Sequence, residues 1–242
     1  NYILIYGIYT VMKETKLDKN QIPINFDFIS NKTFENFIVG KNMIALKILK
    51  DLASNNHQKI VVLIGAKYSG KSHLCKALAD YTNSSMLFLN DTNISNYEIS
   101  SLDQYELLIV DNIDLIINNS SLEEKIFTII NEMILLKKKI CITSTSILRN
   151  IKFRLPDLLS RLKSDQIINI TELSDEDKIK VLQKNASERG WLLKSNVCDY
   201  IINHYKRDLF FLCGCIKYID TTSLSLKKNI TIPFIKKIMS YK

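Results

Sequence analysis

Three features of the sequence predict an α/β fold with a parallel sheet covered on both faces, followed by a small all-helical region. Continuous apolar runs at Ile60 to Ile64, Leu107 to Val110 and Ile140 to Thr143 read as strands buried on both sides. Amphipathic helical patterns alternate with these runs, the order expected of a helix-covered parallel sheet. After Ser174 the strand patterns stop and only helical periodicity remains.

The chain opens at Asn1 without a methionine, and Met12 is followed by the polar stretch KETKLDKN. A true start at Met12 is therefore expected, with residues 1 to 20 poorly ordered. In QIPINFDF, Gln21 to Phe28, apolar residues alternate around Pro23 and favour an extended conformation. Such a segment is either a docking peptide for a partner or an edge strand on its own core. A helix is predicted from Lys41 to Ser54, where Ile44, Ile48 and Leu52 recur at helical spacing behind Gly40.

The strand Ile60 to Ile64 runs into GAKYSGKS, which fits G-x-x-x-x-G-K-[ST] with Gly65, Gly70, Lys71 and Ser72 in place. Apolar strand before and helix after is the context that gives this spacing meaning. The two glycines let successive backbone N–H groups close around an anion. Lys71 brings a point charge to the outer phosphates, the Ser72 hydroxyl is a magnesium ligand, and the following helix adds its positive end. Ser69 and His73 flank these residues and complete the candidate phosphate site. The loop predicts binding of a nucleoside di- or triphosphate with Mg2+. Phe34, Phe37, Ile38 and Val39 lie on the approach to it, either as an apolar lid over a base or as core.

Strand and helix patterns then continue: Ser85 to Leu89 extended, Leu107 to Val110 ending in Asp111, a helix from Leu122 to Leu136, and strands at Ile140 to Thr143 and Gln166 to Ile170. An acid at the carboxyl end of a buried strand points into the crevice that holds the phosphates, so Asp111 is the second candidate magnesium ligand beside Ser72. Asn112 stands where hydrolytic proteins of this broad class carry a second carboxylate. An amide orients water but does not take its proton at neutral pH, so slow intrinsic hydrolysis is expected. Helices are predicted at Asp175 to Arg189, Ser195 to Tyr205, Asp208 to Thr221 and Pro233 to Tyr241, with Ser174 and Asp177 as a capping pair. The expected organisation is a tail over 1–29, a nucleotide-binding core over 30–172 and a helical domain over 173–242.

Composition narrows the classes. The 242 residues carry a net charge of +8, compatible with an acidic partner, but the lysines are scattered rather than clustered. Five cysteines make no C-x-x-C spacing and three isolated histidines make no ligand set, so neither a disulfide framework nor a metal cluster is expected. No apolar run approaches the length of a membrane span, and the first one lacks a basic leader, which together predict a cytoplasmic protein.

The colinear order of GAKYSGKS, LLIVDN, LPDLLSRL, RDL at Arg207 to Leu209 and TIPFIKKIM resembles the DnaA/Hda family of AAA+ proteins over residues 21 to 240. QIPINF, Asp111-Asn112, LSDEDK and ERG at Glu188 to Gly190 resemble its short regulatory branch. The initiator branch continues into a helix-turn-helix domain beyond the point where this sequence ends, which favours a regulator. The resemblance implies an AAA+ core with a helical lid, and ADP or ATP with Mg2+ on Lys71, Ser72 and Asp111. It places Ile38 and Val39 at the adenine, Arg207 as a second sensor on the phosphates, and Arg161 as an arginine finger acting in trans. It further implies that Gln21, Ile22, Pro23, Ile24 and Phe26 dock on the DNA polymerase III sliding clamp. DnaA is then the partner, DNA is reached through the clamp, and a homodimer or higher oligomer forms. A salt bridge from Arg161 to Asp157, four residues earlier, is the alternative to the finger. TSTS at Thr143 to Ser146 lacks the acid usual at the first sensor, leaving that sensor's function open. The competing function is a helicase-loader-like ATPase acting on single-stranded DNA.

Overall fold

A computed structural model describes residues 32–54, 59–82, 84–90, 93–97, 99 and 102–239. The clamp-peptide assignment at Gln21 to Phe26 and the start at Met12 lie outside the described residues. Five strands form one all-parallel sheet in the order β2-β3-β4-β1-β5, made of β1 (Ile60–Gly65), β2 (Met86–Leu89), β3 (Leu107–Val110), β4 (Lys139–Ser144) and β5 (Gln166–Ile170). Because side chains alternate along a strand, the apolar runs supply both faces. Ile60, Val62 and Ile64 of β1 join the layer under α3 (Ser120–Leu135) and α4 (Pro156–Leu162). Val61 and Leu63 join the layer under α1 (Met43–Ser54) and α2 (Lys71–Tyr81). The result is a three-layer α/β sandwich.

Phe34 and Phe37 are buried in the second layer, which decides between lid and core for these two residues. Asn42, 3% exposed, ties the chain entering α1 to the end of β5: its Nδ2 donates to Thr171 O at 2.9 Å and its Oδ1 accepts from Thr171 N at 2.8 Å. At the other end of the sheet, Asp165 Oδ2 accepts the Ile60 amide at 2.8 Å and fixes the start of β1 to the turn before β5.

Beyond β5 the chain is helical: α5 (Asp175–Glu188), α6 (Ser195–His204), α7 (Leu209–Leu226) and α8 (Ile232–Met239) bury a separate apolar cluster. The Ser174 hydroxyl accepts the Asp177 amide at 3.2 Å and donates to the Asp177 carboxylate at 3.0 Å, capping α5 as the sequence predicts. α7 runs five residues past the predicted end at Thr221. Three of its hydroxyls donate to the helix's own carbonyls, Thr221 to Lys217, Ser223 to Asp220 and Ser225 to Thr221, and Ser223 is buried. By length and composition α7 is apolar enough to cross a membrane, yet Leu212, Cys215, Ile216 and Ile219 are packed in the helical core. Four of the five cysteines are buried and all are free.

Candidate nucleotide site

The phosphate loop leaves the carboxyl end of β1, between β4 and β5. Gly65 is required there by space: a Cβ would sit 2.8 Å from Ile170 O and 2.8 Å from Ser69 Oγ. Gly70 is required by conformation, with φ of +100°, and Phe37 closes over it from the approach segment. α2 then begins at Lys71, so the loop is aimed along a helix axis with its free amides at the mouth.

Lys71 is only 4% exposed, and its Nζ donates to Gly65 O at 2.7 Å and Ala66 O at 2.9 Å. Burial lowers its pKa, opposed by the negative charges of Asp114 and then Asp111. Ser69 Oγ is buried inside the loop with no hydrogen-bond partner among the described residues. A buried cation held over a glycine cradle, beside an orphan hydroxyl, fits a phosphate group.

Asp111 emerges at the end of β3. Since β4 lies between β3 and β1, Thr143 is interposed between Asp111 and the loop strand, paired in register with Leu63. The Thr143 hydroxyl donates to Asp111 Oδ1 at 2.7 Å and accepts the Asn112 amide at 2.8 Å. Oδ1 is thereby oriented by protein. Ser72, in the first turn of α2, and Asp111 together offer the hard oxygen donors that Mg2+ takes.

His73 is drawn to the approach segment: its Nε2 lies 3.0 Å from Thr33 O and its ring packs on Phe37 with centroids 5.2 Å apart. Burial depresses its pKa, and the Thr33 carbonyl partly opposes this. Val39 packs on the second core layer and Ile38 is half-buried beside it. Arg207 sits where α6 passes to α7, with Nε donating to Ile202 O at 3.1 Å and a terminal nitrogen donating to Asp175 Oδ2 at 2.7 Å. Three residues on, Phe210 stacks on Tyr68 at 5.1 Å, joining the tip of the phosphate loop to the start of α7.

A family model described as the Hda lid domain matches residues 175–239. Domain III of the Thermotoga maritima replication initiation protein DnaA superposes with a TM-score of 0.79 at 17% identity, covering 93% of this chain and 98% of that one. An uncharacterized protein of Haemophilus influenzae is 32% identical over 227 residues, 91% of this chain and 98% of its own length. The chain belongs to the Hda/DnaA-related AAA+ proteins. A structure of AMPPCP-bound DnaA from Aquifex aeolicus is similar with a TM-score of 0.66 at 23% identity; the match covers 80% of this chain and 66% of that one.

In this Hda/DnaA-related chain a second acid belongs to the site that sequence reasoning passed over. Asp114 lies in the turn after β3, where one oxygen accepts from Ser144 Oγ and the other from the Thr145 amide at 2.6 Å and the Thr145 hydroxyl. An acid thus reaches TSTS from the turn after the neighbouring strand β3. D-N-I-D places it three residues after Asp111, and Asn112 adopts a left-handed conformation, φ 59° and ψ 61°, that lets the chain turn back toward β4. The signal was the spacing of Asp111 and Asp114.

Arg161 lies in the last turn of α4 and is exposed; no ion pair to Asp157 exists among the described residues. The structure does not bring it to its own phosphate loop. Four residues later Asp165 holds the first residue of β1, whereas the loop starts at the last; at about 3.3 Å per residue those two ends are roughly 17 Å apart.

Proposed function

We propose that this DnaA-related AAA+ regulator binds ADP or ATP with Mg2+ at Lys71, Ser72 and Asp111 and restrains replication initiation by promoting hydrolysis of ATP held by DnaA. Arg161 is the group supplied in trans, and Gln21, Ile22, Pro23, Ile24 and Phe26 tether the protein to the DNA-loaded sliding clamp in the cytoplasm. Arg207 swings from Asp175 onto the phosphates when nucleotide is present, and Ile38 and Val39 border the base. The observation that carries this reading is the position of Arg161: exposed, in no ion pair among the described residues, and in the helical turn leading to the end of the sheet remote from its own phosphate loop. That position favours service to another protein's nucleotide over the chain's own. A guanidinium stays charged and grips phosphate oxygens as a fork, and trans fingers are worth about a thousandfold or more in rate.

The test is hydrolysis of DnaA-bound ATP in the presence of clamp-loaded DNA. Arg161→Ala is expected to fold, bind ADP and bind clamp, yet to lose stimulation by about a thousandfold or more. Stimulation equal to wild type overturns the proposal. Asp114, close enough to Lys71 to oppose its depressed pKa, favours a second reading, a helicase-loader-like ATPase in its own right. Both Asp114 oxygens are engaged by Ser144 and Thr145, which weighs against its acting as a base on water. Rapid ATP turnover by the purified chain on single-stranded DNA, without DnaA, selects that second reading.

A further inference from the structure

Glu123 is completely buried, 0% exposed, and among the described residues it has no cation beside it in an ion pair. Its two oxygens are each spent on one backbone amide. Oε1 accepts Asn118 N at 3.0 Å and Oε2 accepts Leu155 N at 3.0 Å. Asn118, at φ of +67°, shapes the turn into α3, and Leu155 is the residue from which α4 begins. Taking a carboxylate out of water is costly unless its lone pairs are used. A glutamine in the same place would accept from one amide and direct its own NH2 at the other. The double acceptor therefore needs the acid, and what it accomplishes is to join the first turn of α3 to the first turn of α4, across 32 residues of chain.

α4 has little means of holding itself. It has seven residues, its N-cap makes no side-chain cap bond, and Pro156 offers no amide. A helix of that length is marginal without external anchors. Leu158 and Leu162 bury one stripe, while Arg161 projects outward from the last turn. The carbonyl of Arg161 accepts from Ser164 Oγ at 2.7 Å and Ser164 N at 3.2 Å, which settles the backbone at that end. The other end is settled by Glu123.

We infer that Glu123 is the positioning residue for Arg161: it sets where α4 starts on α3 and hence where the guanidinium is presented to a partner's nucleotide. This rests on the trans-finger reading of Arg161. Misplacing a catalytic group by about 1 Å costs on the order of a hundredfold in rate.

The experiment compares Glu123→Gln, Arg161→Ala and the double variant for stimulated hydrolysis of DnaA-bound ATP, alongside ADP affinity and melting temperature. Glu123→Gln is expected to lower the maximal stimulated rate by about ten- to a hundredfold. The concentration giving half-maximal stimulation and the affinity for ADP should stay as in wild type. The double variant should be no worse than Arg161→Ala, because one residue acts through the other. Losses that multiply in the double variant, or a rate that falls only with the folded fraction, overturn the inference. If Arg161→Ala stimulates normally, the finger reading itself has failed; if Arg161→Ala is inactive and Glu123→Gln is normal, only the role of Glu123 has. Should Glu123→Gln not fold, hydrogen exchange on the wild-type chain decides: slow exchange of the Leu155 amide is expected, and fast exchange overturns the inference.

Discussion

Asp114→Ala removes the acid that joins the turn after β3 to the end of β4. Three hydrogen bonds go with it, from the Ser144 hydroxyl and from the Thr145 amide and hydroxyl. Hydrogen bonds to a charged group contribute about 1.5–3 kcal/mol each when sheltered. Thr145 is exposed, so water replaces most of its share, and Ser144, fully buried, turns its single hydroxyl proton to Ser146 O, 2.7 Å away. A total near 2–4 kcal/mol is the resulting estimate, which for a chain of this size lowers the melting temperature by roughly 5–15 °C. Affinity moves the opposite way. Asp114 is the largest negative influence on Lys71, so its removal leaves a more positive site and tighter ADP binding at low salt. Differential scanning calorimetry and ADP titration on the same samples read both effects. A melting temperature within about 1 °C of wild type would refute the hydrogen-bond argument, and weaker ADP binding in a folded variant would refute the electrostatic one.

Gly65→Ala forces a Cβ against Ile170 O and Ser69 Oγ at 2.8 Å each, one of them backbone, and should cost about 1–3 kcal/mol together with most of the affinity for ADP; calorimetry and titration check it, and unchanged affinity contradicts the cradle geometry. His73 has a pKa depressed by burial, so the unfolded chain binds its proton first: stability is full above about pH 6.5 and falls as pH drops below it. Urea denaturation from pH 8 to 5 should show that loss, and His73→Leu should remove this residue's part of it.

The parallel sheet and its helical sequel were legible because each rests on local patterns: apolar runs for strands with two covered faces, helical periodicity after Ser174, and a glycine-bracketed turn between strand and helix. Gly65, Gly70 and Lys71 were legible for the same reason, since their spacing alone dictates the loop. Phe34 and Phe37 were not, because an aromatic approaching a pocket and an aromatic filling a core have the same sequence signature, and only packing on α2 separates them. The end of α7 was obscured by Thr and Ser, which count against a helix interior until their hydroxyls find the helix's own carbonyls.

Asp114 and Glu123 were hidden for a different reason: each acts on a partner 30 or more residues away, Asp114 on Ser144 and Thr145, Glu123 on Leu155. Periodicity and motif spacing carry no information about such pairs. Each acid ties together segments far apart in the chain. Asp114 fixes the strand end that orients Asp111 through Thr143, and Glu123 fixes the short helix that bears Arg161. Under the proposed function the two bear on different chemistry, the chain's own nucleotide for Asp114 and a partner's for Glu123. Loss of Asp114 should therefore show in ADP binding, as the tightening argued above, and loss of Glu123 only in what the protein does to its partner.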